Sequence, residues 1–374
     1  MSMLTALATV EVATSIDYGP LSGIMSDPAI TEIMVNGHRD IWVEQGGHLL
    51  LTDAQFPDEA SLTSLIRQIA VYVGRRISRE EPMLDARLPD GSRVNAILPP
   101  LSLCGPVMTI RRFSLEAVTA EDLVGSGSVS RPALDFLTGC VVSRRNILIS
   151  GRSGAGKTTL LNLLGSFIPS VERIITIEDT AELQLHQPHW IRLETRPADA
   201  GGAHEITTRD LLRNSMRMRP DRIVVGECRG GEALDMLQAM NTGHEGSMST
   251  IHANSPRDAL QRLETLSLMA GVEVPHRAVR DQIGSALHVV VHLDRDADGR
   301  RRVMQISEIV GREGDVVTMQ DVFAMQAEDP GGATAMRLLP TRVRPRSLDA
   351  MVAVRHLIPA GLARLYPDAR LAVA

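Results

Sequence analysis

Gly151-Arg-Ser-Gly-Ala-Gly-Lys157-Thr158 is the stretch whose reading decides the fold. It matches GxxxxGK[ST] in full, follows the apolar run NILIS (146–150) and opens the apolar-periodic segment TTLLNLLGSF (158–167). That is the strand–loop–helix context a phosphate-binding loop requires. Gly151, Gly154 and Gly156 let successive backbone N–H groups face the phosphates at a helix N-terminus. Lys157 neutralises the β/γ oxygens and Thr158 offers a hydroxyl to Mg²⁺, with Arg152, Ser153, Ala155 and Thr159 completing the loop that holds ATP. Lys157 is also the only lysine in the chain, every other member of the 39 Lys+Arg being arginine. A compact ammonium suits a phosphate cradle where the broad guanidinium fork does not.

Outward from this loop, the rhythm is that of a parallel sheet flanked by helices: RIITIED (173–179), DRIVVGE (221–227) and SMSTIH (247–252) are short apolar strands separated by helix-like segments. LHVVVHLDRDADGRRRVMQISEIV (287–310) reads as two strands joined by an Asp-Gly turn, and the final forty or so residues read as helical. Before the loop, IWVEQ, VNAILPP and VMTIRRF are strand candidates and SLTSLIRQIAVYVG is an apolar-periodic helix. The expectation is an α/β chain: an N-terminal α+β domain over 1–113, a Gly/Ser-rich linker over 114–130, and a P-loop domain with a C-terminal helical segment over 131–374.

The chain-wide numbers limit the function. At 374 residues and 44% hydrophobic content it has ample material for two cores. A formal net charge of −6 with 3% aromatic residues disfavours a protein whose business is wrapping nucleic acid. Cys104, Cys140 and Cys228 are scattered, which excludes a disulfide framework and a four-thiolate zinc site. No basic leader and no run of roughly 18 apolar residues is present, so the expected location is the cytoplasm.

Carboxylates at strand ends are the next candidates. Glu227 closes RIVVGE, where it can orient or deprotonate the attacking water, unless it is only a solvated strand-end glutamate. Gly226 stands where many P-loop enzymes carry a metal-binding Asp. Glu178, at the end of RIITIED, could hold Mg²⁺ directly or through water, or share the base role, whereas Asp179 or Thr180 could simply cap a following helix. His244 and His252 bracket the strand of GHEGSMSTIHAN, where a histidine can bond a γ-phosphate, and eight residues apart they need not share one site. Among Arg75, Arg76, Arg87, Arg93, Arg111 and Arg112 of the first domain, Arg93 and Arg111 are the candidates for a cation brought to the γ-phosphate, a contribution of roughly 10³–10⁵ in phosphoryl transfer. Arg337, Arg342, Arg344 and Arg346 could form a docking patch or a solvated face.

In order, the P-loop, IEDTAEL, RIVVGECRG and GHEGSMSTIHAN, with upstream TEIMVNG and DARLPDGSRVNAILPP, resemble the type II/type IV secretion ATPase superfamily across residues 19 to about 325. DPAITEIMVNGHRDIWVEQGG, IRRFS, HANSPRDALQRLETL and RDQIGSALHVVVHLDRDADGRRRVMQISEIVGREGD are most similar to its Flp/Tad pilus-assembly branch. The resemblance implies an N-terminal sensory domain and a RecA-like domain, a homohexameric ring, and ATP hydrolysis coupled to an inner-membrane platform protein, so that the ring is peripheral at that membrane. It gives Glu227 the catalytic glutamate, Glu178 the acidic-box role, His244 and His252 the histidine-box roles, and Arg93 and Arg111 the γ-phosphate arginines. TEIMVNG begins at Thr31, so the resemblance carries no expectation of the long N-terminal extension of many pilus members. The type II branch usually carries four zinc-binding cysteines, which this chain lacks; the conjugative type IV branch remains the alternative. From other classes stand a RecA-like nucleic-acid translocase and a nucleotide-binding regulator without turnover.

Overall fold

A computed structural model of the protein describes residues 16–46, 48–112, 118–196, 198, 204–296, 298–327, 336–354 and 358–367. The chain divides into two compact units, Met1–Glu116 and Ala117–Ala374. No helix among the described residues is long and apolar enough to cross a membrane.

The first unit is α+β. Its antiparallel sheet runs, in spatial order, His48–Leu51, Asp40–Gln45, Ile30–Asn36, Val107–Arg111, Arg93–Ile97, Met83–Arg87. Alternation places Ile33, Val35, Ile41, Val43, Val94, Ala96, Met108 and Ile110 on one buried face. The helix Glu59–Tyr72 starts where Asp58 accepts a hydrogen bond from the Ser61 backbone N–H, 2.8 Å away. Its Leu62, Leu65, Ile66, Ile69 and Ala70 recur at helical spacing and share one apolar cluster with that face. Each larger aliphatic contributes about 1.5–3 kcal/mol by leaving water.

The second unit is a nine-stranded sheet in the order Met336–Pro340, Val316–Ala327, Arg301–Glu313, Val289–Arg295, Ile147–Gly151, Met248–His252, Arg222–Val225, Ile174–Glu178, Trp190–Glu194. The last six are parallel, so their carboxyl ends share one edge; the first three continue the sheet antiparallel. Ile147–Gly151 lies inside the sheet and is buried along its whole length, as a doubly covered parallel strand must be. Ile147 and Ile149 enter one apolar cluster with the helices Arg131–Val142 and Lys157–Ser166, while Leu148 enters a second with Glu232–Asn241, Pro256–Leu268 and His276–Ala286. Two expectations are corrected. Residues 118–130 of the expected linker are folded into this unit: Thr119 and Asp122 form a capping box for the helix Ala120–Gly125, Val129 is buried in the core, and Val303 N–H donates to Ser128 O. The glycines that suggested a linker serve the helix end, Gly127 adopting φ 70° just beyond it. Residues 114–117 lie outside the described residues. In the C-terminal stretch, Met336–Pro340 is an edge strand rather than helix, its Leu338 buried, before two short helices Ser347–Ala353 and Ala360–Leu365.

At the amino edge of the parallel strands, Arg222 is fully buried and paired with Glu172, and donates to Gly246 O at 3.2 Å. Asn146 Oδ1 accepts from Gly246 N–H and Ser247 N–H, and the Asn146 N–H donates to His288 Nδ1 at 3.0 Å. A Cβ on Gly246 would overlap Arg222 Nη1, and its φ of 84° is a left-handed value. Gly246→Ala is therefore expected to break the buried ion pair and destabilise the unit by roughly 3–5 kcal/mol in denaturant unfolding; an unchanged midpoint would contradict the clamp. Burial, seconded by the Arg145 charge, pushes His288 down to about 4, against the pull of Glu245. The unfolded chain thus takes up this proton at a higher pH than the native one, and native stability falls as pH drops from about 6.5 to about 4. Wild type should lose about 2–3 kcal/mol over that window that His288→Gln retains; parallel pH–stability curves for the two proteins would refute this.

Candidate active site

The loop between Ile147–Gly151 and Lys157–Ser166 turns tightly because Gly156, at φ 95°, is the residue before the helix, and Gly154 is also left-handed at φ 68°. A Cβ on Gly151 would collide with Leu293 O, so the strand end and the neighbouring strand Val289–Arg295 touch through backbone. Ala155 is buried beneath the loop, Ser153 is exposed, and Arg152 donates from Nε to Asn254 Oδ1 at 3.3 Å. Lys157 is 7% exposed. Its Nζ donates to Arg152 O at 3.0 Å and lies 3.3 Å from His252 Nδ1. Burial pulls this ammonium below the ordinary lysine range, while the Glu227 charge opposes that shift.

An ammonium can only donate, so His252 Nδ1 accepts and a neutral ring carries its proton on Nε2. Burial lowers the histidine below its usual range, which favours that neutral form. Nε2 stands 2.8 Å from Glu227 Oε1. The approach lacks hydrogen-bond alignment, and the buried Oε1 is left without a hydrogen-bond partner. The other oxygen, Oε2, accepts from Arg229 Nη2 at 2.7 Å, and Arg229 Nη1 lies 3.3 Å from Asp179 Oδ2. Asp179 caps no helix; its Oδ1 accepts from Thr208 Oγ1 at 3.1 Å. Lys157, His252, Glu227, Arg229 and Asp179 thus form one chain of contacts along the carboxyl edge of four adjacent parallel strands.

Glu178 is 4% exposed. Its Oε1 accepts from the backbone N–H groups of Glu182 and Leu183, both at 2.9 Å, while the buried Oε2 has no partner. Burial pushes the carboxyl up to about 7, outweighing those two hydrogen bonds. A Cβ on Gly226 would lie 3.0 Å from Glu178 Cγ. The glycine therefore makes room for a carboxylate from the adjacent strand. Among the described residues no three metal-ligating side chains cluster; the unsatisfied Glu178 Oε2 is an oxygen of the kind a hard cation such as Mg²⁺ takes together with phosphate and water.

Residues 15–339 match the family described as type II/IV secretion system protein. The chain belongs to this family. The conjugal transfer protein TrbB of Rhizobium radiobacter is 34% identical over 295 residues, covering 78% of this chain and 86% of that one. The type IV secretion system protein PtlH of Bordetella pertussis is 36% identical over 310 residues, covering 75% and 91%. Among solved structures, the ATPase DotB of Legionella pneumophila superposes with TM-score 0.54 at 20% identity, covering 78% of this chain and 79% of that one. The pilus retraction motor PilT with bound ADP gives 0.53 at 18% identity, covering 91% and 86%. These two likenesses concern the fold: an N-terminal domain followed by a RecA-like domain.

In this secretion-family chain the histidine box is split. His252 ends its strand beside Lys157, but His244 precedes the strand at the amino edge, next to the Arg222 clamp, where its carbonyl accepts from Ser247 Oγ at 2.7 Å. Five strand residues span roughly 17 Å, so the chain does not bring His244 to the phosphate loop. Arg93 and Arg111 lie in the first unit as direct cross-strand partners, with Arg87 opposite Arg93, so three guanidinium groups line one sheet face. Arg93 Nη2 is 3.9 Å from Asp85 Oδ2. Arg344 pairs with Asp349 and Arg346 donates to Val310 O, so both are tied locally. Two features carry no sequence signal of their own. One is the Arg229–Asp179 bridge. The other is a cavity of about 240 Å³ beside the loop, lined by Leu123, Val129, Gly156, Thr159, Leu293 and Arg301. Its aliphatic walls suit a planar base, and three of them, Val118, Leu123 and Val129, come from the stretch that reads as a linker.

Proposed function

We propose that this protein hydrolyses Mg·ATP as one subunit of a homohexameric motor. The ring would work at the cytoplasmic face of a bacterial inner membrane and drive Flp/Tad-type pilus assembly or retraction through a platform protein. The observation that carries the reading is the Lys157–His252–Glu227 sequence of contacts, which ties the phosphate-binding ammonium to a carboxylate with a free lone pair. In the reaction, Glu227 Oε1 accepts a proton from the attacking water as its oxygen bonds to the γ-phosphorus. The bond to the bridging oxygen breaks with its electron pair passing to the ADP β-phosphate. Lys157 leaves Arg152 O and His252 to meet the phosphates, and the aliphatic cavity holds the base. Mg²⁺, when bound through Thr158 and Glu178, neutralises phosphate charge.

A second reading, the conjugative type IV secretion branch, is favoured by the names of TrbB and PtlH and their coverage of about three quarters of this chain. Both readings share the chemistry. A nucleic-acid translocase fits less well with the net charge of −6.

Phosphate release by purified full-length protein, with and without single-stranded DNA, tests the reading. Wild type should hydrolyse Mg·ATP at a rate indifferent to DNA. Glu227→Gln should lose on the order of 10²-fold or more while still binding ATP, and Arg111→Ala should also slow turnover. Stimulation by DNA would indicate a translocase; nucleotide binding without turnover in the assembled ring would indicate a regulator.

A further inference from the structure

Glu227 is held from one side only. Arg229 occupies Oε2, while Oε1 faces His252 with no hydrogen-bond partner. Arg229 is itself held at both ends. Its guanidinium bridges to Asp179, which Thr208 fixes in turn. Its backbone N–H and that of Gly230 both donate to Glu232 Oε1, at 2.6 and 2.8 Å, and Glu232 is a nearly buried first residue of the helix Glu232–Asn241. A planar fork spanning two carboxylates on neighbouring strand ends fixes the orientation of each in a way a point charge does not.

We propose that Arg229 is a positioning residue for catalysis, anchored by Asp179, that fixes the Glu227 carboxylate with Oε1 as the oxygen presented to water. This rests on the assignment of Glu227 as the base. Arg229 then contributes to turnover and not to nucleotide affinity, and Asp179 acts on Glu227 only through Arg229. Misplacing a base by about an ångström costs on the order of 10²-fold in rate, and that is the scale expected when the bridge is removed.

The test is a steady-state and nucleotide-binding comparison of full-length wild type, Arg229→Ala, Arg229→Lys, Asp179→Asn, the Arg229→Ala/Asp179→Asn double variant and Glu227→Gln. Arg229→Ala should lower kcat by on the order of 10²-fold with KM and ATP affinity within about threefold. Arg229→Lys, keeping the charge without the fork, should recover part of the loss. Asp179→Asn should give a smaller loss that vanishes on the Arg229→Ala background, since a shared path makes the two effects non-additive. Wild-type kcat in Arg229→Ala, a loss confined to ATP affinity, or multiplicative losses in the double variant would each overturn the proposal. If Arg229→Ala proves unfolded, the Arg229→Lys and Asp179→Asn values decide, wild-type kcat in both being the contradicting result. Wild-type turnover in Glu227→Gln would instead remove the assignment of the base itself.

Discussion

Lys157 is a buried cation whose nearest partners are a carbonyl and a neutral imidazole, neither of which carries a compensating charge. Taking an ammonium out of water without a paired carboxylate is costly, and the rest of the second unit can be understood as what makes that arrangement possible. The central strand is sealed on both faces, Gly156 aims the helix so that its N-terminus opens at the sheet edge, and Gly151 lets the neighbouring backbone close against the loop. The Glu227 charge opposes the burial of this ammonium, and His252 touches both groups. Such a site is poised for an anion that can enter and meet the ammonium directly, and a phosphate is that anion.

The two ends of the parallel sheet divide the labour. The amino edge carries a buried Arg222–Glu172 pair closed by Asn146 and the Gly246 turn, contacts that hold strands in register. The carboxyl edge carries groups left partly unsatisfied, namely Glu178 Oε2 and Glu227 Oε1. Buried polar atoms without partners are uncommon in folded proteins; of the nine among the described residues, the two that belong to carboxylates both lie at the phosphate edge. Chemistry and rigidity thus sit at opposite ends of the same strands.

Much of this was legible in the sequence because it depends on local pattern. The phosphate loop, the apolar strands and the strand-end carboxylates declare themselves by spacing. The reason for Gly226 did not, since the Glu178 side chain that needs its space comes from 48 positions earlier. The Arg229–Asp179 bridge was equally hidden, because an arginine four residues beyond a strand looks like any exposed cation until the neighbouring strand is placed. The strand through GHEGSMSTIHAN was legible, and it separates the two histidines, as their eight-residue spacing allowed, to opposite edges. The helix Ala120–Gly125 was concealed by Gly and Ser that end the helix rather than loosen the chain.

The central claim is that the Lys157 ammonium exchanges its present partners for phosphate. A crystal structure of the Glu227→Gln protein with Mg·ATP tests it most directly. The account predicts triphosphate at the loop, Lys157 Nζ withdrawn from Arg152 O and His252 onto the β/γ oxygens, and the base in the cavity beside Leu123 and Val129. A nucleotide bound elsewhere, or Lys157 still docked on Arg152 O with phosphate present, would contradict it.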